Sequence, residues 1–460
     1  MTITHVPILV SPTGQRLEGT QVNQGGNDVI REVMVAGDPS VAAGLAVVPR
    51  IQPGIADYGL AVRPILNTDA FGRFRVSDPI TVFDSQHQYR IEPLIWDSTT
   101  LNSGTGTITH LPDESAAQLS TGGTGSGAKA VLQSKTYHRY QPGKSHLIMM
   151  TAAFGASTTN LRRRIGYFDA RNGVFFEQTS SGVSVVKRSY VTGSAVDTSV
   201  AQASWNIDPL DGTGPSGITV DWTKSQIFLM DLEWLGVGTV RMGLIVNDII
   251  CYAHAFHNAN VISTIYMTTA NLPIRYEIEN TGTTAGTNTM LALCSTVVSE
   301  GGFEYERAYK FAYGSGTSIG VTTRRPVMSI RPGLTFNSIA FRGQVIPEHL
   351  ELTAANNSGY WELVLNGSLT GATFAIGAPT NSATEVDIAA NAISGGTVIA
   401  SGFVLSGSGS TRGMGTEQLS GRIVLGLDAV GTTADILSLV VTSFTGTCNA
   451  TSALLWRELR

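Results

Sequence analysis

Between Asp221 and Asn260, large apolar residues fall at every second position: Phe228, Met230, Leu232 and Trp234, then Val240, Met242, Leu244 and Val246. That period belongs to a strand with one buried face, because successive side chains leave a strand on opposite sides. A helix would place its apolar residues three and four apart, so this stretch commits to sheet. Only Asn247 and Asp248 separate the second run from the next apolar stretch, which opens at Ile249 and carries Ile250, Tyr252, His254 and Phe256. Both residue types tolerate the left-handed backbone of a two-residue turn, and the pair predicts a hairpin. Trp234 to Gly238, WLGVG, supplies the bend between the first two runs, with glycines where a tight turn or bulge needs them. The three antiparallel strands are expected to form the middle of a β-sandwich.

A chain of 460 residues exceeds one ordinary compact domain, and two or three are expected. Charged residues make up 14% of it, against about 25% in an average soluble domain. With 51 glycines between short apolar runs, that balance fits turn-rich β structure. No run of ten residues carries a helical stripe with caps, and Asp387 to Ile393 comes nearest to one. An α/β enzyme is accordingly disfavoured. The net charge of -5 offers nucleic acid no electrostatic footprint. The short basic runs Arg162, Arg163, Arg164 and Arg324, Arg325 are expected at solvated strand edges or interface pairs. Cys251, Cys294 and Cys448 are odd in number and far apart, which predicts small apolar fillers and no disulfide framework. The opening MTITHVPILVSPTG lacks the pattern of a signal peptide, and no stretch reaches the ~20 apolar residues of a membrane span. The expectation is a chain made in a cytoplasm that stays soluble or joins an assembly.

The chain divides into three. Residues 1–68 are short apolar dashes cut by proline, with GLAV recurring at 44–47 and 59–62. Proline cannot donate to a sheet ladder, so an extended docking arm with edge strands is expected, adding its strands to another subunit or capping its own. Residues 69–313 should form a central antiparallel sandwich of jelly-roll type. Within it, 101–127 is expected as exposed strands and loops, SHLIMMTAAFG (145–155) as a fully buried strand, and 162–190 as a meander turning at Asn172-Gly173. Residues 322–460 repeat the strand rhythm and predict a second, smaller sandwich. The fold class expected is all-β.

Motifs for chemistry are few. Gly212 to Gly217, GTGPSG, matches GxGxxG in letters, but Pro215 and the strand-like ITVDW after it deny the strand and helix that a phosphate cradle requires. His254 and His257 would face opposite sides of a strand, which argues against shared metal coordination. Trp205, Asp208, Asp211 and Trp222, with Asp221, have the composition of a glycan site, since sugars stack on indole and hydrogen-bond to carboxylates. Loop capping by the aspartates is the plainer alternative, and hydrolysis would further need two converging carboxylates. No nucleophile signature is present, and no catalytic residue, metal ligand or cofactor is assigned.

Four stretches, DAFGRFRVSDPITVFDS (69–85), RIGYFDARNGVFFEQ (164–178), the run from Trp205 to Gly243, and NLPIRYEIEN (271–280), resemble segments of structural proteins of tailed bacteriophages. The likeness covers most of residues 55–300 and is weaker from 322 onwards. What it implies is a virion component without enzymatic activity: a tail, collar or fibre part, or a decoration of the head exterior. It implies partners among copies of the same chain, as a homotrimer, and among other virion proteins, with assembly in the host cytoplasm. A receptor-binding module for host-surface glycan is the alternative reading, and a glycan depolymerase a third.

Overall fold

The structure, a computed structural model, describes residues 5–8, 17–24, 27–32, 78–101, 105–304, 308–376, 381–406, 411–412 and 423–460. The chain forms two units, Met1–Val76 and Ser77–Arg460. In the first, β1 (His5–Ile8), β2 (Leu17–Gln24) and β3 (Asn27–Glu32) make an antiparallel sheet in that order. His5 sits opposite Thr20, and Val22 opposite Val29. The GLAV repeat lies outside the described residues.

The second unit begins with β4 (Ile80–Ser85), β5 (Trp96–Leu101), β6 (Thr107–Leu111), β7 (Ala116–Ser120), β8 (Lys129–Ser134) and β9 (His146–Ala153). The meander follows as β10 (Leu161–Phe168), β11 (Gly173–Thr179), β12 (Gly182–Ser189) and β13 (Val196–Ala201). Then come β14 (Ser225–Leu232), β15 (Val240–Val246), β16 (Ile249–Phe256), β17 (Ile274–Asn280) and β18 (Thr289–Ser299). These strands form an antiparallel, jelly-roll-like sandwich. One sheet runs β13-β12-β11-β10-β17-β8-β5, and the other runs β16-β15-β14-β9-β18-β7-β6 with β4 added beside β18. The only helical turns among the described residues are Pro112–Glu114 and Gln202–Ser204.

The two-residue period selects the core. From one sheet Ile165, Tyr167, Phe176 and Tyr276 point inward, and from the other Ile148, Met150, Phe228 and Met242 meet them. The hairpin at Asn247 and Asp248 forms as expected, with φ of 49° and 63°. The three strands that announce the fold, however, lie at one side of their sheet, with β16 as its edge. β9 also departs from expectation, since its burial alternates and Leu147, Met149 and Thr151 are only half-covered on the outer face. Conversely β7, inside the stretch expected to be exposed, is buried through Ala116, Ala117 and Leu119, because it pairs with β18 at the core.

The remaining strands, from β19 (Tyr309–Gly314) to the last (Cys448–Leu459), form a second sandwich with a core of its own around Leu352, Trp361, Leu439 and Trp456. No helix forms at 387–393, where Thr384–Asp387 and Ala392–Ser394 are strands. The two sandwiches are clamped together. Lys135 Nζ reaches Asp435 at 2.8 Å, the Ala429 amide donates to Asp97 at 2.7 Å, and Gln344 donates to the Tyr137 carbonyl.

The basic run 162–164 is not at a solvated edge, because the same period splits it across β10. Arg163 turns inward and donates to the Ala156 and Thr289 carbonyls and to Gln178 Oε1. Arg162 and Arg164 turn outward into a lattice with Glu279, Glu177 and Glu277. Glu277 is fully buried there, and Arg275, Lys129 and Arg164 approach it at 2.5, 2.9 and 3.1 Å. Against the upward push of burial, these three cations hold its carboxyl well below the ordinary value of 4.5. Phe168 and Phe175 on the same face are covered by guanidinium groups, Arg275 over the first and Arg164 and Arg188 over the second.

Three histidines are buried between the sheets and around the end of the sandwich. Burial pushes His138 down to about 3, with His146 beside it adding to the effect, and pushes His146 down to about 4. His87 falls to about 4 through burial and then His110. A free imidazole titrates near 6.5, so between that pH and about 4 the unfolded chain takes up protons that the folded chain refuses. Stability is therefore complete above pH 6.5 and falls as the pH drops towards 4, while Glu277 adds its own loss only below about 4.5. Calorimetry from pH 7.5 to 4 is expected to show a steadily falling Tm, with a shallower slope in His146→Gln. A Tm constant down to pH 4.5 would contradict this account.

Candidate functional site

Trp205, Asp208, Asp211 and Trp222, the glycan candidates, all make hydrogen bonds that build the 202–222 loop, as the loop-capping alternative describes. The eight-stranded sheet ends at β16, and an open edge offers unpaired amides and carbonyls. Residues 206–208 close its last turn: the Ile207 and Asp208 amides both donate to the Ala253 carbonyl, at 3.1 and 3.0 Å. Asn206 exchanges two hydrogen bonds with Ala255, at 2.9 and 2.8 Å. Trp205 plugs into the core, its indole N–H donating to the Val200 carbonyl. Trp222 meets it edge-on at 6.2 Å, stacks on Phe228, and donates to Gln202 Oε1. Neither indole face is laid open as a stacking platform.

The carboxylates have the same structural employment. Asp208 is buried and accepts the Leu210 and Ser216 amides, both at 2.8 Å. Against burial, those amides hold its carboxyl below the ordinary range. Asp211 and Asp221 each accept from the threonine two residues on, Thr213 and Thr223, in exposed turns. Gly212, at φ 89°, and Gly217, at φ 65°, belong to this turn system, which is what the GTGPSG letters encode. His254 is buried and accepts the Asn206 amide, whereas His257 is exposed. Among the described residues no three His, Cys, Asp or Glu side chains are placed to hold a metal ion, and no helix is long and apolar enough to cross a membrane. Cys251 and Cys448 are buried thiols, and Cys294 is exposed.

A different place has the concavity of a site. Where the chain bends after Pro142 and again at 234–238, a cavity of about 430 Å³ opens beside the ends of β9, β14 and β15. That volume lies in the range of small-ligand sites. One wall is apolar: the Tyr140 ring packs edge-on against Trp234 at 5.9 Å, its hydroxyl accepts the Trp234 amide, and Leu235 is exposed. The other wall is polar. Arg241 lies over the Tyr252 ring at 4.6 Å and is tied to Asp231, which also accepts the Tyr252 hydroxyl at 3.1 Å. Burial, with Asp231 beside it, pushes the Tyr252 phenol up. Glu233, Thr239 and Ser145 add an exposed carboxylate and two hydroxyls, Ser145 donating to Glu300 at 2.5 Å, and Gly143 and Lys144, whose ammonium donates to Gln141 at 2.9 Å, complete the lining.

Donors and acceptors thus alternate around an apolar wall, an arrangement that can take a ring presenting hydroxyls on its rim and C–H groups on its face. Sequence reasoning missed it because its residues come from two turns nearly a hundred positions apart. PG at 142–143 and WLGVG at 234–238 were both legible as turns, but nothing in the letters brings them together.

No protein-family model matches the chain, and no curated protein matches it. Among solved structures, similarity is found to a Bacteroides ovatus mixed linkage glucan GH16 in complex with a G4G4G3G product. The TM-score is 0.31 and the identity 10%, over 47% of this chain and 99% of that one. A Bacillus licheniformis beta-glucanase gives 0.30 and 12%, over 48% and 98%. A legume lectin-like domain from Entamoeba histolytica gives 0.28 and 12%, over 47% and 97%. No side-chain role passes from these proteins to this sequence.

The edge-closing role of the 202–222 loop has a direct check. Asp208→Ala strands the Leu210 and Ser216 amides and is expected to lower Tm by several degrees and admit protease at 209–217. Asp221→Ala, in an exposed turn, should shift Tm far less. Equal effects of the two would refute the assignment.

Proposed function

We propose that this protein is a non-catalytic glycan-binding module, with the cavity between 140–145 and 231–241 as its sugar subsite. The observation that carries the reading is the pairing within that cavity of the exposed Leu235, backed by the buried Tyr140 and Trp234 rings, with the Arg241–Asp231 clamp and the exposed Glu233. A pyranose needs both: an aromatic or aliphatic surface for its C–H face, and pre-set charged partners for its hydroxyls. Asp231 serves as the acceptor that orients Arg241 and Tyr252, a fixing role and not an acid–base one. Glycosidic hydrolysis would need two carboxyl groups free to act across one bond.

The binding reading is tested on an array of bacterial-surface polysaccharides, with any ligand found then titrated by calorimetry. Arg241→Ala and Glu233→Ala are each expected to weaken binding at least tenfold without releasing reducing sugar in any chain. Absence of binding across the array, or affinity unchanged in both variants, would overturn it.

A second reading concerns where the module is displayed. We propose display on a tailed-phage virion, as a tail, collar, fibre or head-exterior component in contact with other virion proteins, a reading that rests on the resemblance of residues 55–300. The N-terminal sheet β1-β2-β3 has β1 and β3 as outer strands, an arrangement suited to strand addition by a partner. On this reading the chain is assembled in the host cytoplasm and retained in the particle through residues 1–68. Removing residues 1–60 is expected to abolish incorporation into particles, measured by immunoblot of purified virions. Normal incorporation of the shortened chain would rule out the arm as anchor.

A further inference from the structure

The charges around the cavity near Arg241 do not cancel. Two cations line it, and both are already engaged by protein groups. Arg241 is tied to Asp231 and lies over the Tyr252 ring, while Lys144 donates to Gln141 Oε1 at 2.9 Å and has Glu304 at 3.9 Å. Two carboxylates line it as well, and each has oxygen left over. Glu233 is exposed, and no described residue hydrogen-bonds to its carboxylate or pairs with it. Asp231 is buried, with Arg241 and Tyr252 both on its Oδ2, and its Oδ1 accepts from no described residue. Since Oδ1 is not sealed from solvent either, it opens onto the cavity that Asp231 lines. Glu233 follows β14 directly and stands two positions from Asp231, so the strand period sets both carboxylates on one side of the chain.

More negative charge stands behind these two. Glu300 accepts the Ser145 hydroxyl at 2.5 Å. Burial, Asp231 and Glu300 push the Tyr252 phenol up against the pull of Arg241. Among the described residues, four carboxylates (Asp231, Glu233, Glu300 and Glu304) thus gather around this cavity against the two cations Lys144 and Arg241. A cleft with a surplus of one sign concentrates ligands of the other. A sugar carrying a carboxylate or phosphate would meet repulsion there, and a neutral one would leave Glu233 and Asp231 Oδ1 with only hydroxyls to accept from. No three His, Cys, Asp or Glu side chains of the described residues are placed to hold a metal ion, so the fitting cation is an organic one.

We infer that the sugar taken by this cavity carries a free amino group, with its ammonium held by Glu233 and Asp231 Oδ1. The inference rests on the glycan-binding reading and narrows it to amino sugars. An ammonium brings three donors and no acceptor, which matches carboxylate oxygens that can only accept. Arg241 does not repel it, because Asp231 already balances the guanidinium, and Arg241 keeps N–H groups for the ring hydroxyls. N-acetylation removes the positive charge and leaves a single N–H, so the site discriminates between the two forms of one sugar.

An oligosaccharide array in matched pairs tests this with the full chain, each glucosamine or galactosamine oligomer being printed once as the free amine and once N-acetylated. The free-amine member is expected to bind about tenfold more tightly, the scale of one charge-assisted hydrogen bond. Glu233→Gln, which keeps the size of an exposed side chain and removes its charge, is expected to bring that ratio close to one. Equal binding within the pairs, preference for the N-acetylated member, a ratio that Glu233→Gln leaves intact, or oligolysine bound as tightly as the free-amine sugars would overturn the inference. If other polysaccharides bind while the pairs show no binding or no preference, the amino-sugar assignment alone falls. If no glycan of any kind binds, the glycan-binding reading falls with it.

Discussion

Glu277 is a fully buried carboxylate on the outer face of a sheet, and it remains ionised because Arg275 of its own strand and Lys129 and Arg164 of the two neighbouring strands reach it. A charge in that position cannot be left half-satisfied, since removing one partner of a buried pair costs about 3–5 kcal/mol. The lattice therefore fixes which residues of β8, β10 and β17 stand side by side, as the pairing of Arg164 with Glu177 and with Glu277 shows. It also keeps Arg164, Arg188 and Arg275 laid over Phe175 and Phe168, which pack on each other and on Val186 beneath. With that surface closed by its own ion pairs, the other open features of the molecule gain weight as places where partners meet it.

Those features are two, and they arise from how strands end and how sheets stop. The cavity near Arg241 exists because two turns leave the sandwich side by side and bring a carboxylate, a guanidinium and two apolar side chains to one rim. Strand 397–404 is outermost in its sheet, and among the described residues no segment hydrogen-bonds to it as 206–208 does to the last turn of β16.

Much of the secondary structure could be read directly because it depends on local physics. The alternation in 228–234 and 240–246, the Asn247-Asp248 turn and the Asn172-Gly173 turn depend on neighbours two residues away, and each formed where its letters place it. Burial was harder to read. β9 looks uniformly apolar, yet half its side chains face outward, because an apolar residue on a sheet does not declare which face is covered. The glycan candidates are ambiguous for a related reason: tryptophan and aspartate suit a sugar and suit a loop that must plug a core and cap its own amides. Here Trp205 and Asp208 do the second.

The sequence by itself determined that this chain is antiparallel sheet with hairpin connections, since a two-residue period and φ-permissive turn residues act within a few positions of each other. Only the tertiary structure decided which strand became an edge, which charges were drawn out of water, and which turns met to form a cavity. Arg162, Arg163 and Arg164 show the difference: three identical letters in a row, of which one faces the interior and two face the ion lattice. The reason is that sheet order and cover depend on strands more than a hundred residues away, and no local preference encodes that distance.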